Sequence, residues 1–343
     1  MKGFVLAAGF GRRMAPITDV TPKPLLPIGN HALVEYAISL LAHHGITEIV
    51  VNVHHLGDRI QQALGDGSAL GVKLTYSVEE EILGTGGGLR RMREYLNDGT
   101  FVVVNSDTLI DIDLKAVIEA HRSKAALATL VLRRDNEEPE YGQIEIDSSN
   151  RVRRILGQGA KRSDLTSLMF TGVHIMEPQI LDYIPPDVET CVIRYGYTKA
   201  LANNEKIFGY LSDGFWADAG TPERYFRLNC DALDRKLQLS HLDPLGGFAL
   251  QPTRDVAEVV RMGEGVDLGQ DVQIVPPVLL GAGAKVGDHA TVGPFAIVGA
   301  RAQLGRESKV TRSVVEEGAR VDAGEFVSQC FVGRRDRLSL EAQ

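Results

Sequence analysis

Apolar and polar positions along the first 134 residues switch between two periods. Short apolar runs at residues 3–6, 48–53, 73–77, 101–105 and 128–132 read as buried strands. Segments 32–44, 56–64, 87–96 and 114–121 between them carry apolar residues at helical spacing. This alternation predicts a parallel sheet with helices on both faces, a Rossmann-like α/β/α fold. Ligands of such sheets bind beyond the carboxyl ends of the strands. From about 135 to 220 the pattern is less regular. Residues 143–147 and 151–156 read as a hairpin, 167–176 and 207–211 as strands, and 190–203 as a helix. Residues 222–239 read as a closing helix with Thr221 as N-cap and Glu223 in its first turn.

A different period begins near residue 265. Aliphatic residues recur every six positions at Leu268, Ile274, Leu280, Val286, Val292, Val298, Leu304 and Val310, most of them followed by glycine. Two positions before them stand small or β-branched residues, such as Ala284, Ala290, Ala296 and Ala302. A six-residue period fits neither a helix nor a hairpin. It fits a short parallel β-helix with one hexapeptide per face and about three coils. Val321 falls one residue out of phase, so a register break is expected after Val314 and the last coil should be irregular. The predicted organisation is a domain at 1–239, a linker at 240–264 and repeats at 265–333.

Composition narrows the classes. The chain has 343 residues, 44% of them hydrophobic, and a net charge of -8. That balance suits a soluble globular protein and argues against broad nucleic-acid or anionic-membrane binding. No run approaches the ~20 apolar residues of a membrane span. The N-terminal apolar stretch is short and ends in Gly-x-Gly, unlike a signal peptide. Three scattered cysteines, Cys191, Cys230 and Cys330, fit a reducing cytoplasm.

Candidate chemistry starts where the first strand ends. Leu6, Ala7 and Ala8 lead into a glycine turn, Gly9 and Gly11, followed by Arg12 and Arg13 and then by Lys23 between Pro22 and Pro24. Glycine lets backbone N–H groups approach phosphate oxygens, and the cations neutralise charge. The spacing excludes two familiar loops: Met14 stands where a dinucleotide fingerprint needs its third glycine, and no Gly-Lys-Ser/Thr follows. Asp107, in Asn105-Ser106-Asp107, is either a metal-binding carboxylate at a strand tip or a solvated turn residue. Asp218, in Trp216-Ala217-Asp218-Ala219-Gly220, is either a second metal ligand or a helix capper. Gly84-Thr85-Gly86-Gly87-Gly88 opens a helix, where glycine costs roughly 1 kcal/mol each, so something must pack closely on that backbone. Glu79-Glu80-Glu81 before it is a solvated acidic face or supplies a carboxylate that accepts hydrogen bonds from a ligand. The histidine pairs His43-His44 and His54-His55 read as surface residues.

The stretch Gly-x-Gly-x-Arg-Met-x-Pro-x-Thr followed by Pro-Lys-Pro-Leu-Leu-Pro-Ile resembles the signature of the sugar-phosphate nucleotidyltransferases, and the hexapeptides resemble the left-handed β-helix often appended to them. The resemblance implies transfer of a nucleotide from a nucleoside triphosphate to a sugar 1-phosphate, with Mg²⁺ bound by Asp107 and Asp218. It implies catalytic roles for Arg13, Lys23, Asp107 and Asp218. Nucleotide contacts fall on Leu6, Ala7, Ala8, Gly9, Gly11, Arg13, Lys23, Glu79, Gly84, Thr85 and Gly86. Sugar contacts fall on Asn105, Gly142, Thr171 and Gly172, the last two also readable as a strand edge.

The acidic run resembles guanylyltransferases acting on mannose or heptose 1-phosphate, with uridylyltransferases of the muramate or glucose type as the alternative. The resemblance makes guanine N1–H and the 2-amino group the donors to one of its carboxylates. Two departures stand out. Arg12 replaces a small residue, and the Glu-Lys-Pro motif before the second-lobe strand is missing, with Lys161 or Arg162 as candidate replacements. Two other classes are a bifunctional acyltransferase using His289 and a non-catalytic nucleotide-sugar-binding subunit. The repeats suit homo-oligomer formation.

Overall fold

The fold is that of a computed structural model, which describes residues 1–134, 143–246, 249–250 and 260–340. Residues 251–259 of the expected linker lie outside the described residues. The chain divides into two compact units: Met1–Phe10 with Val34–Trp216, and Gly11–Leu33 with Ala217–Gln343.

The first unit is built on a ten-stranded sheet. Its strands are β1 (Lys2–Leu6), β2 (Glu48–Val53), β3 (Lys73–Val78), β4 (Phe101–Asn105), β5 (Ala128–Arg133), β6 (Gln143–Ile146), β7 (Val152–Ile155), β8 (Thr166–Met176) and β9 (Ile207–Leu211), with a two-residue edge piece, Gln158–Gly159. β4, β1, β2 and β3 run parallel in that order. Phe4 of β1 pairs with Val50 and Val103 on either side, and all three are fully buried. Near-continuous Val/Ile runs suit such strands, which are covered on both faces.

The sheet changes direction at β8. Its end, Val173–Met176, pairs antiparallel with β4, its start pairs with β6, and its other edge pairs with β5. The apolar run at 128–132 therefore does not extend the parallel set. It pairs antiparallel with β8 and parallel with β9. Its apolar composition reports burial, which both arrangements supply. Helices α1 (Leu33–His43), α2 (Gly57–Leu64), α3 (Gly84–Arg91) and α4 (Leu114–Ser123) alternate with the parallel strands. α3 begins three residues before the expected start and breaks at Met92, with a separate turn at Arg93–Leu96. The expected helix at 190–203 is a π-helical turn, Val192–Tyr197, followed by the short helix Thr198–Ala202.

The second unit contains α5 (Pro222–Leu233), which stops before the expected residue 239. Thr221 caps it as expected, its hydroxyl accepting the Arg224 N–H at 3.3 Å. Beyond it three parallel sheets stack into a β-helix. One face runs Val260–Met262, Val278–Leu280, Ala296–Val298, Ser313–Val315 and Cys330–Val332, which makes more coils than the expected three. The bore is filled by Leu280, Val286, Val292, Val298, Leu304, Val310, Val315, Val321, Val327 and Val332. Each such aliphatic side chain stabilises the shaft by roughly 1.5–3 kcal/mol.

The corners lie in the left-handed backbone region at Gly283, His289, Phe295, Arg301 and Glu307, six residues apart. The next corner, Arg312, comes after five. The register break thus falls between Glu307 and Arg312. Val315 turns inward where an unbroken period would place Glu316, and the six-residue spacing resumes at Gly318 and Gly324.

Candidate active site

In the first unit, the end of β1 is tied down on two sides. Ser106 N–H donates to the Leu6 carbonyl at 3.1 Å. Ala7 N–H donates to the Asn52 side-chain oxygen at 2.8 Å. Asn52 in turn donates through Nδ2 to Glu79 at 2.8 Å, and the other Glu79 oxygen accepts the Leu83 N–H at 2.8 Å. Glu79 is 2% exposed. Both its oxygens are committed inside the fold, so Glu79 braces the Ala7 turn and the start of α3. The expected base contact is corrected on this ground. Glu80 and Glu81 are the exposed members of the acidic run.

Ala7 and Ala8 are buried, Leu6 is half-buried and Gly9 is exposed. Among the described residues, a Cβ placed on Gly9 would meet no protein atom within 4 Å. None of them crowds Gly9, so its small size leaves room beside the turn. Phe10, next in the chain, lies edge-on to His54 at 5.1 Å and beside His55 at 5.5 Å. His54 Nδ1 is 2.9 Å from the Glu79 carbonyl. These histidines, expected on the surface, are half-buried supports for the glycine turn.

The glycines of α3 have a different cause. A Cβ on Gly84 would lie 2.6 Å from the Thr190 carbonyl oxygen, one on Gly87 2.7 Å from that of Val188, and one on Gly88 2.7 Å from Glu79. Gly86 N–H donates to the Thr190 carbonyl at 2.7 Å, and Thr85 accepts the Val192 N–H at 2.9 Å. The partner that demands close approach is the chain itself: the segment 188–192 for Gly84, Gly86 and Gly87, and Glu79 with Asn52 for Gly88.

At the carboxyl end of β4, Asn105 and Asp107 are half-buried. Gly172 has φ +92°, and a Cβ there would lie 2.9 Å from the Asn105 amide. Asn105 and Gly172 are therefore brought together. Thr171 is not available in the same way. It is 1% exposed, its hydroxyl donates to the Val131 carbonyl at 2.9 Å, and its own carbonyl accepts the Trp216 indole N–H at 2.8 Å. The expected sugar contact of the Thr171 hydroxyl is corrected to a strand-to-strand tie. Gly142 lies outside the described residues. Arg162 grips Asp164 through Nε at 2.9 Å, while Lys161 is exposed.

In the second unit, Gly11 has φ +66°, and a Cβ there would lie 2.9 Å from Thr18 and 3.0 Å from Lys23. Left-handed backbone and close packing both require glycine at this position. Thr18 donates back to the Gly11 carbonyl at 3.1 Å. Lys23 opens a tight turn and is 8% exposed.

Gly220 joins the remaining groups. A Cβ there would lie 2.7 Å from a carboxylate oxygen of Asp218 and 2.8 Å from a guanidinium nitrogen of Arg13. Asp218 also accepts from Arg224 at 3.3 Å. Arg224 and Gly220 were not singled out by the sequence reading. Their signal was present: Arg224 sits in the first turn of the helix that Thr221 caps, six residues past Asp218. Among the described residues no group of three or more His, Cys, Asp or Glu could hold a metal. Asp107 in the first unit and Asp218 in the second each offer hard carboxylate oxygens, the donor type that divalent cations such as Mg²⁺ take.

The sequence model of the nucleotidyl transferase family matches residues 2–235. A UTP–glucose-1-phosphate uridylyltransferase from Synechocystis is 33% identical over 251 residues, covering 69% of this chain. The chain spans 65% of the length of that relative. A mannose-1-phosphate guanylyltransferase from Mycobacterium tuberculosis is 30% identical over 282 residues, covering 79% of this chain and 77% of its own length. Among solved structures, a Bacillus anthracis protein described as a glucose-1-phosphate thymidylyltransferase, in complex with sucrose, aligns with TM-score 0.60 at 26% identity, covering 70% of this chain and 97% of that one.

Proposed function

This chain belongs to the nucleotidyl transferase family, and on that premise we propose that it makes a nucleoside-diphosphate sugar and pyrophosphate from a nucleoside triphosphate and a sugar 1-phosphate. GTP and mannose 1-phosphate are the favoured pair, because relatives named mannose-1-phosphate guanylyltransferase cover up to 80% of this chain. The second reading is UTP with glucose 1-phosphate, which the Synechocystis relative supports.

The observation that carries the proposal is the meeting of Arg13 and Asp218 at Gly220. A guanidinium suits phosphate oxygens, and a carboxylate beside it suits the cation that accompanies them.

On this reading a phosphate oxygen of the sugar 1-phosphate attacks the α-phosphorus in line. The bond to the bridging oxygen of the β-phosphate breaks, and its electron pair leaves with pyrophosphate. The nucleophile is already an anion, so positioning and charge stabilisation supply the catalysis. Arg13 and the Gly9 and Gly11 backbone hold the β- and γ-phosphates, and Lys23 stabilises charge building on the α-phosphate. Leu6, Ala7, Ala8 and the Gly84–Gly86 turn flank the nucleoside, and Asn105 and Gly172 meet the sugar. Asp107 and Asp218 would hold a divalent metal, Mg²⁺ on this reading, which supplies further neutralisation of the phosphates.

Residues 1–239 form the catalytic part, 240–264 the linker and 265–333 the repeat on this reading. The repeat serves self-association, for which Phe326, 67% exposed, offers apolar surface. The free cysteines suit work in the cytoplasm. Pyrophosphate release over a matrix of nucleoside triphosphates and sugar 1-phosphates tests the proposal. Release with GTP and mannose 1-phosphate supports the first pair, release only with UTP selects the second reading, and no release with any pair rejects transfer.

A further inference from the structure

One rung of the β-helix departs from its neighbours at a single position. On the face built from 278–280, 296–298, 313–315 and 330–332, the residue after each inward aliphatic is Gly281, Gly299, Glu316 and Gly333. Glycine belongs there for a physical reason. A Cβ on Gly281 would lie 2.4 Å from the Ala300 nitrogen, and one on Gly299 2.5 Å from the Glu317 nitrogen. The five-residue step before Arg312 delivers a glutamate to this position instead. Glu316 is 6% exposed, so its carboxylate has left water. A buried carboxylate is costly unless hydrogen bonds replace the water it loses.

The donors it finds come from opposite ends of the sequence. The Arg334 N–H donates to Oε2 at 3.1 Å, within the shaft. The Thr21 hydroxyl donates to Oε1. Thr21 is 5% exposed and stands two residues before Lys23. Pro22 and Pro24 restrict the backbone between and after them. The fixed φ of Pro22 and of Pro24 limits how far Thr21 and Lys23 can move independently. Arg312, at the short corner, lies over the rings of Phe226 and Phe295 at 5.9 Å each, and Tyr225 packs on Phe331 at 5.9 Å. The rung of Glu316 and the one after it thus both pack on α5, close to the carboxylate.

We propose that Glu316 is a positioning residue for the reaction: through Thr21 it sets where the Lys23 turn stands, so the β-helix takes part in building the phosphate-binding loop. The inference rests on the reading of Lys23 as a phosphate-binding group. It gives the repeat a role besides self-association.

Glu316→Gly is the informative variant, because it restores the residue that the adjoining rungs carry and keeps the shaft intact. Its melting temperature should stay within a few degrees of the parent. Hydrogen exchange of the amides at 21–26 should accelerate, and kcat/KM for the nucleoside triphosphate should fall 10- to 100-fold, the scale of a misplacement of about 1 Å. KM for the sugar 1-phosphate should hold. Thr21→Val should lose as much, the double variant no more than either single one, and Thr21→Ser should retain parent activity. Unchanged exchange at 21–26 in Glu316→Gly overturns the coupling whatever the activity. Faster exchange with parent kcat/KM, in an enzyme that Lys23→Ala inactivates, overturns the positioning role. A Lys23→Ala variant of full activity rejects the reading of Lys23 itself, and the inference with it.

Discussion

Arg13 and Asp218 both bring the ends of their side chains to the place where a side chain on residue 220 would begin. A methyl group on Gly220 would fall within 2.8 Å of both. What it would strike are the ends of two side chains, not backbone. Gly220→Ala should therefore swing Arg13 and Asp218 aside at little cost in stability. The expected outcome is a loss of 10- to 100-fold in kcat/KM with a melting temperature changed by no more than a few degrees. A large fall in melting temperature with normal turnover of the folded fraction would count against it.

Lys23→Ala and Asp107→Ala should each lower turnover by orders of magnitude in single-turnover assays while circular dichroism stays that of the parent. Near-normal rates in both would remove these residues from the transfer step.

The Glu79 brace leads to an effect on stability. Glu79→Ala leaves the Asn52 amide and the Leu83 N–H without their acceptor inside the fold. A buried donor stranded in this way costs about 1–3 kcal/mol. Two such donors should lower the urea midpoint clearly. The preference between GTP and UTP should not change, because the carboxylate does not face outward. A shift in base preference without loss of stability would contradict this placement.

The reach of the sequence follows from where each partner lies. The strand pattern, the Thr221 cap and the hexapeptide ladder are local, and each reads correctly from residues a few positions apart. The roles of Glu79 and Thr171 do not, since Asn52 lies 27 positions from Glu79, and Val131 lies 40 positions from Thr171. An acidic run and a Thr-Gly pair look the same whether they face solvent or the chain. The α3 glycines carried the right physical message, close approach, but for Gly84, Gly86 and Gly87 the approaching group is a segment about a hundred residues further on. The direction of β5 was illegible for a related reason. Apolar content reports that a strand is buried and leaves its pairing open.

His174 offers a pH test. It is fully buried in β8, its Nδ1 2.7 Å from the Tyr197 hydroxyl, and burial pulls its pKa down from 6.5 to about 3. Below pH 6.5 the unfolded chain takes up a proton that the folded chain refuses. Stability from this group is thus full above pH 6.5 and is lost as pH falls toward about 3, by up to ~1.4 kcal/mol per pH unit. The difference in urea midpoint between the parent and His174→Gln should shrink steadily on acidification through this window. A difference that does not vary with pH would contradict the assignment.

The β-helix also sets a rule for how this chain tolerates changes of length. One coil advances about eighteen residues, as the pairing of Val278 with Ala296 records. A whole coil added beyond Arg334 leaves the rung of Glu316 where it is. A whole coil inserted before Arg312 preserves every inward valine, yet it carries Glu316 along the shaft by one strand spacing, about 4.8 Å, out of reach of Thr21. The shaft works as a ruler read at one mark, and the chain is free to grow at only one end of it.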